Sequence, residues 1–579
     1  MAIKIKFKIN IVHLVLLFCL VAVFFVFVNI IRFIDKGFEL SDETFYLSNS
    51  LNFNSSNYSS TYFGLLNNFF CFGHPTLLNL RLAKLIYQSF AVLIFTFSIF
   101  HFFQHRGFSL SIVQKIFILI IALMTSFCNY DYLPMTLSYN SWSLIITALC
   151  FSVIFIEYTI VSAYSSFVAS LIYGFLFFSL FLAKLPNGVI ILFIYLVFNL
   201  FSIKNNIHVK FFGIIMGVYI GYLLYLNNFQ DLKNILENYY VTLFEVKHVK
   251  ANSYLNQFNA FFLFCVKQKY ILFELLIVLL AVISKKLLKQ YKSFITGIIL
   301  LANYAFAGCF FKGNSVELYN DFIVASIFIM NVMLFIYFYR ENVGLPWPKK
   351  EFALIIFFLF VIPFLLMLGT DNLFYYTTSQ TMVFTMIAIT IYQIYLRQLS
   401  VSFLAFHCSI ICIFIICILY QGAVITPYRQ NNLSLKTYPI HFSEPIDGIY
   451  ESYEKFVDYT TINILVNKFN TSKKPVFTFF NHVGLSYINN CKVFPETIIS
   501  DAEHAMNYND YILSRYHFDN RFDLLILPET VENSQKFKQL FTKYGIFFKE
   551  NYKLRYVYKF LSTDEKVYFY KKQIKNAFK

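Results

Sequence analysis

Charge is what this chain has least of. Asp, Glu, Lys and Arg make up 13% of its 579 residues, and 58% are hydrophobic. A soluble protein of this length carries about a quarter charged residues, so the chain as a whole lacks the charged surface that water would require. Internal repeats and low-complexity linkers are also missing. Ten cysteines are present, most of them inside apolar runs (Cys19, Cys150, Cys265, Cys408, Cys412, Cys417), but none stands in a C-x-x-C or Cys/His ligand spacing. The sequence therefore supports neither a structural zinc nor a disulfide framework. The net charge of +16 does not indicate nucleic acid, because no basic domain carries the interleaved aromatics on which bases stack. The 75 Phe and 43 Tyr accompany abundant Ile, Asn and Lys, so aromatic content alone marks no site.

What is present is a succession of apolar runs near the roughly 20 residues that a bilayer requires. They fall near 11–31, 85–103, 112–128, 142–160, 165–183, 187–203, 210–227, 269–285, 293–311, 320–338, 352–369, 380–396 and 401–420. The expectation is a polytopic α-helical membrane protein of about thirteen spans, with the membrane region over 1–425. "MAIKIKFKIN" resembles a signal-peptide start, but the run that follows is too long and lacks a small-residue cleavage site, so it reads as a retained anchor. With Lys4, Lys6 and Lys8 inside, alternate loops carry Arg106 and Lys115, Lys204 and Lys210, Lys285 to Lys292, Arg340 to Lys350, and Arg397. By the positive-inside rule these are cytoplasmic, which puts the N-terminus in and the C-terminus out.

The last quarter changes character. "KPVFTFF", "RFDLLILPET" and "RYVYKFLS" read as short strands; "DGIYESYEKFVDYTTINILVNKF" and "VENSQKFKQLFTKYG" read as amphipathic helices. A small exoplasmic α/β domain over 440–579 is expected, joined through "PYRQNNLSLKTYP".

The first exoplasmic loop contains "GFELSDETFYLS". Ser41 suits a helix cap with Asp42 and Glu43 in the first turn, where the macrodipole favours acids. The pair also suits acid–base chemistry, and the two readings are compatible. In a helix, neighbouring residues point about 100° apart, so Asp42 and Glu43 cannot aim at one atom. One acts as base while the other orients it, binds a cation or pairs with a basic residue. Basic residues at the outer ends of spans, Arg32, Lys36, Arg81, Lys84, Lys184 and Lys312, exceed what the positive-inside rule explains. Each can snorkel to the interface; together they suit a phosphate at the lipid–water boundary, with Arg81 and Lys184 the preferred pair. Tyr139 and Asn140 in "LSYNSWS", and Asp371 and Asn372 in "LGTDNLFYYTTSQ", suit sugar hydroxyls but are equally ordinary turn and interface residues. Asp131 lies in the same loop as Tyr139. His74 can relay a proton, although a His before Pro more often turns the chain. Glu274 in "ILFELLIVLL" is a candidate buried charge.

An odd set of spans, an Asp-Glu pair in the first exoplasmic loop and an exoplasmic C-terminal domain resemble the GT-C superfamily of membrane glycosyltransferases, which take sugars from polyprenyl-phosphate carriers. "GFELSDETFYL", "LNLRLAKLI", "LSYNSWS", "LAKLPNG" and "LGTDNLFYYTTSQ" are similar in order and placement to the bacterial branch related to protein mannosyltransferases and the lipid A aminoarabinose transferase. The resemblance implies an inner (plasma) membrane enzyme moving a hexosyl or pentosyl group from polyprenyl phosphate to an envelope glycan, lipid or protein on the exoplasmic, periplasmic face. It implies Asp42 as the catalytic acid position and Glu43 as its neighbour. Arg81, Lys184 and Lys312 would hold the donor phosphate, and Tyr139, Asn140, Asp371 and Asn372 the sugar or acceptor. Some members use a divalent metal such as Mg or Mn, and Asp42 with Glu43 are too few ligands to specify one. The alternative from another class is a transporter or flippase of a lipid-linked substrate. Such proteins carry repeats and midplane polar groups, whereas here polar residues gather at the outer ends.

Overall fold

The computed structural model describes residues 11–51, 61–130, 135–160, 162–201, 206–241, 350–366, 378–395, 401–425, 427, 429–515, 522–546 and 548–573. Among these, seven helices are long and apolar enough to cross a membrane and three further apolar helices are shorter. In chain order the elements of the helical region are α1 (Ile11–Phe33), α2 (Asp42–Leu51), α3 (Phe63–Phe70), α4 (Leu77–His105), α5 (Ile112–Ser126), α6 (Tyr139–Glu157), α7 (Ala163–Ala183), α8 (Leu185–Phe201), α9 (Ile207–Tyr225), α10 (Phe229–Tyr240), α11 (Lys350–Leu365), α12 (Met382–Tyr395) and α13 (Val401–Leu419). Ten of the thirteen expected apolar runs fall on these helices. The other three, near 269–285, 293–311 and 320–338, lie outside the described residues, as do Asp131, Glu274, Lys312, Asp371 and Asn372.

One boundary differs from the sequence expectation in a way that matters. Hydropathy starts the second span at 85, but the helix begins eight residues earlier, where the Thr76 side chain accepts a hydrogen bond from the Asn79 backbone N–H. Arg81 and Lys84 therefore project from inside α4 rather than from a loop. Both are buried, which a scale that prices every charge as solvent-seeking does not anticipate.

Small residues decide how α7 and α9 meet. Gly213, Gly217 and Gly221 recur every four residues and so share one face of α9. A Cβ on Gly217 would lie 2.0 Å from the Leu171 carbonyl oxygen, and one on Gly174 would lie 2.2 Å from that of Ile214. The two backbones are thus in direct contact, the small-x-x-x-small arrangement by which membrane helices pack without a hydrophobic driving force. At the end of the bundle away from the C-terminal domain, Arg106 pairs with Glu351 at 2.9 Å and Lys210 with Glu157 at 3.3 Å. The Glu157 carboxylate also accepts from the Tyr195 hydroxyl at 2.5 Å and the Ser170 hydroxyl at 3.1 Å.

The C-terminal region is an α/β domain, as expected. A two-stranded antiparallel ribbon, β1 (Tyr438–Ile440) with β2 (Ile449–Glu451), precedes α14 (Tyr453–Phe469). A five-stranded sheet follows: β3 (Val476–Phe479), β4 (Val493–Ile499), β5 (Leu524–Pro528), β6 (Tyr552–Lys559) and β7 (Lys566–Lys572), in spatial order β4-β3-β5-β7-β6. β3 runs parallel to both β4 and β5, while β7 is antiparallel to β5 and β6. The three sequence-predicted strands are β3, β5 and β6. β4 escapes notice because Pro495 interrupts its pattern, and an edge strand is where a sheet tolerates proline. The central strand β5 is buried throughout: Leu524 and Ile526 join the larger core, and Leu525 and Leu527 join a second cluster with Phe537 and Phe541. That two-sided burial explains a continuous apolar run rather than an alternating one.

Candidate functional site

The loop between α1 and α2 is stitched to the C-terminal domain. Gly37 takes a left-handed turn (φ +78°) and its N–H donates to the Tyr450 carbonyl at 2.8 Å. The Phe38 N–H donates to a Glu451 carboxylate oxygen at 2.5 Å, and Gly484 N–H reaches the Leu40 carbonyl at 3.0 Å. Glu451 is buried and holds the Lys436 ammonium at 2.8 Å. Burial pushes the Glu451 carboxyl up, but the nearby Lys455 and Lys436 charges outweigh it and hold the group below the usual range. The same loop places the Lys36 ammonium 3.6 Å from the centre of the Tyr450 ring.

α2 begins where the capping signal placed it, but Glu39 supplies the cap. The Glu43 N–H donates to Glu39 Oε2 at 3.1 Å, and the Glu39 N–H donates back to Glu43 Oε2 at 3.1 Å. The Ser41 hydroxyl donates to Glu39 Oε1 and accepts from Arg429 Nη1 at 2.6 Å. The two acids expected to act together diverge, as helix geometry requires. Glu43 is fully buried and points into the bundle; Asp42 is partly exposed and stands 3.5 Å from Arg429.

Glu43 meets Arg81. The guanidinium Nε donates to Oε1 at 3.0 Å and Nη2 approaches both carboxylate oxygens at 2.8 Å; the Thr136 hydroxyl donates to Oε1 as well. The other Arg81 donors go to the carbonyls of Ile34 at 2.8 Å, Lys36 at 3.1 Å and Gly37 at 2.6 Å. With its five N–H groups directed inward, Arg81 has no donor turned toward a ligand. The expectation that it grips a phosphate is corrected: it anchors the loop that carries Asp42. Lys184 is also buried, donating to the Leu366 carbonyl at 2.6 Å with its ammonium 5.8 Å from the Tyr139 ring centre. Lys84 donates to the Asn129 carbonyl at 3.0 Å, beside the Tyr130 ring. Tyr139 packs edge-on to Tyr46, and Asn140 is buried in the first turn of α6. His74 is exposed in the turn before α4.

A cavity of about 700 Å³ opens on the other side of this anchor. One wall is Glu39, Leu40 and Ser41; a second is Arg429, Gln430 and Asn431, from the segment that follows α13. The third wall belongs to the C-terminal domain, with Lys455 and Tyr459 on α14, Asn481 and His482 directly after β3, and Phe560, Ser562, Thr563 and Glu565 in the β6–β7 turn. Asp42 is not among its lining residues; its carboxylate stands 3.5 Å from Arg429, which is. None of Lys184, Tyr139 and Asn140 lines it.

The domain contributes to the cavity at a favoured place in its topology. From the adjacent parallel strands β3 and β5 the chain leaves toward opposite edges of the sheet, to β4 and to β6, and the crevice outside such a switch point is where open α/β sheets hold ligands. Asn481 and His482 occupy it. Asn481 is fixed by the Asp501 carboxylate at 2.8 and 3.0 Å. His482 is buried, with Nε2 3.5 Å from Glu565 Oε2 and a buried Nδ1 that has no hydrogen-bond partner among the described residues. The His482 hydrogen bond draws the Glu565 carboxyl below its ordinary range. Glu39 moves the opposite way: burial and the Asp42 charge push its carboxyl up. Two carboxyls driven apart across one cavity are the pattern by which a site keeps an acid and a base at the same pH.

Glu39, Arg429, Lys455 and His482 were not singled out from sequence. Glu39 was legible in principle, three residues before Asp42 in the same loop. The other three lie about 390 to 440 residues further along the chain, and nothing local ties them to it. A Mg or Mn ion does not fit here. Asp42 already faces Arg429, the raised Glu39 carboxyl accepts from Ser41 and the Glu43 N–H, and no group of three carboxylates or histidines converges among the described residues. Comparison of the chain with family models, with curated proteins and with solved structures finds no match.

Proposed function

We propose that the protein is a membrane glycosyltransferase that moves a sugar from a polyprenyl-phosphate carrier to a hydroxyl-bearing envelope glycan, lipid or protein. The observation that carries this reading is the cavity itself. It lies where the first loop, the segment leaving the last membrane helix and the C-terminal domain meet, so a lipid-borne donor reaches it from the bilayer and a polar acceptor from water. Its lining suits both, with cations for a phosphate and amides, hydroxyls and an aromatic ring for a sugar.

In this reading Asp42 is the general base that takes the proton from the acceptor hydroxyl, and the sugar is transferred with inversion as the carrier phosphate departs on the opposite face. Arg429 and Lys455, the cations of the cavity wall, stabilise that departing phosphate. Glu43 and Arg81 hold Asp42 in place from behind, and Asn481 and His482 receive the acceptor. No step passes through a metal. The membrane is then the inner (plasma) membrane of a bacterial cell, with the cavity on its exoplasmic face.

The test is transfer of a labelled sugar from a synthetic polyprenyl phosphate by the purified full-length protein, with mass analysis of envelope glycans after deletion of the gene. Product formation that requires Asp42 is the expected result. Movement of the labelled lipid between leaflets without sugar transfer would replace this reading with that of a flippase.

A further inference from the structure

Cysteines that the sequence scatters are brought together by the fold. Cys408 and Cys412 are one turn apart on α13 and share the face packed against α1, and Cys19 meets them from α1. All three are buried, and their sulfur atoms lie within 4.8 Å of one another, the only such ligand group among the described residues. Cys19 stands eight residues into α1, roughly 12 Å along the helix axis at about 1.5 Å per residue, well inside the apolar zone.

Burial of a single thiol needs no special account, because cysteine packs as a small hydrophobe; Cys150 in α6 is such a case. Three sulfurs converging on one point from two helices are different. We infer that Cys19, Cys408 and Cys412 form a binding site for one soft, thiophilic ion, cuprous copper, between α1 and α13. The donor set selects the ion. Thiolates favour cuprous copper and zinc over ions that prefer oxygen. Structural zinc takes four ligands, usually sulfur or imidazole nitrogen, and no fourth cysteine, histidine or carboxylate joins the three sulfurs among the described residues; Cys408 Sγ donates to the Phe117 carbonyl oxygen at 3.9 Å. Cuprous copper is satisfied by two or three sulfurs. Two sulfurs bound linearly to one ion by bonds of about 2.3 Å stand roughly 4.6 Å apart, so sulfurs within 4.8 Å of one another need only a small side-chain adjustment to share it.

On binding, two S–H protons are released to the medium and two copper–sulfur bonds form. The third thiol keeps its proton and shares it with a coordinated sulfur, and the oxidation state of copper does not change. The site has a structural consequence. α1 leads directly to Glu39 and Asp42, and α13 leads to Arg429, so an ion at this point ties together the two helices that deliver opposite walls of the cavity. The inference stands independently of any sugar-transfer reading.

The experiment is an anaerobic titration of the full-length protein in detergent with cuprous ion, in competition with bicinchoninate. The expected result is one copper retained by the wild type and by C417S, whose cysteine is exposed on the same helix, held more weakly against bicinchoninate by C408S, and lost in C19A/C408A/C412A. The alanine variant keeps the interface apolar should serine disturb folding. Copper should also raise the unfolding temperature of the wild type and leave that of the triple variant unchanged. Equal retention by the triple variant overturns the site, as does folded wild type that retains no copper. A wild-type mass lower by two hydrogens and restored by dithiothreitol, with no copper held, would assign the cluster to a disulfide and also overturn it.

Discussion

Arg81 holds Glu43 through both carboxylate oxygens, at 2.8 to 3.0 Å, with both side chains essentially sealed from solvent. The remaining guanidinium donors fasten the carbonyls of Ile34, Lys36 and Gly37. One side chain thus fixes both the start of α2 and the loop entering it, and the direction of Asp42 follows from where Glu43 is held.

Removing one partner of such a pair leaves a buried charge uncompensated, at a cost of about 3–5 kcal/mol. Glu43→Gln and Arg81→Ala should each lower the unfolding temperature sharply, measured in detergent by a thermal-shift assay. The double variant should be less damaging than the sum of the two. Simple additivity would mean the pair is not coupled.

Asp42→Asn should leave unfolding temperature within experimental error of the wild type, because the side chain is partly exposed. Sugar transfer should fall by roughly a hundredfold to ten-thousandfold, the usual contribution of a general base. Retention of full turnover removes Asp42 from the chemistry.

Replacing Arg429 by Ala should act on the donor. A charge-assisted hydrogen bond contributes about 1.5–3 kcal/mol, so the donor KM should rise roughly tenfold to a hundredfold. An unaltered donor KM would restrict Arg429 to its contacts with Asp42 and Ser41.

The Glu39 carboxyl keeps its proton to higher pH in the folded protein than when free, because burial and the Asp42 charge oppose ionisation. The folded state therefore binds that proton more tightly. Its contribution to stability is complete below the ordinary glutamate range and is lost as pH rises through the raised value. Glu39→Gln, which mimics the protonated form, should gain on the wild type in unfolding temperature as pH goes from acid to neutral. A constant difference across that range would contradict the assignment.

Gly217→Leu should separate α7 from α9, since even a Cβ there meets the Leu171 carbonyl oxygen at 2.0 Å. Overpacking of this kind typically costs 1–3 kcal/mol, occasionally more, and the loss of folded protein on size exclusion measures it. Gly107→Ala makes a suitable control for added bulk, because its Cβ would meet nothing within 4 Å, although its φ of +79° adds backbone strain.

The sequence by itself determined the membrane class, the position of the described apolar helices, the α/β character of the C-terminal domain and the divergence of Asp42 from Glu43. Each depends on periodicity, length or the rotation between neighbouring residues, which are local properties. Tertiary structure decided what those residues meet. Arg81 reads as a phosphate ligand in "LNLRLAKLI" and becomes a buried anchor because α4 starts early enough to carry it under the first loop. Arg429, Lys455 and His482 enter the cavity, and Cys19 finds Cys408 and Cys412, only because chain segments several hundred residues apart pack together. Contacts of that range depend on how whole helices and the sheet are placed, and no local pattern encodes them.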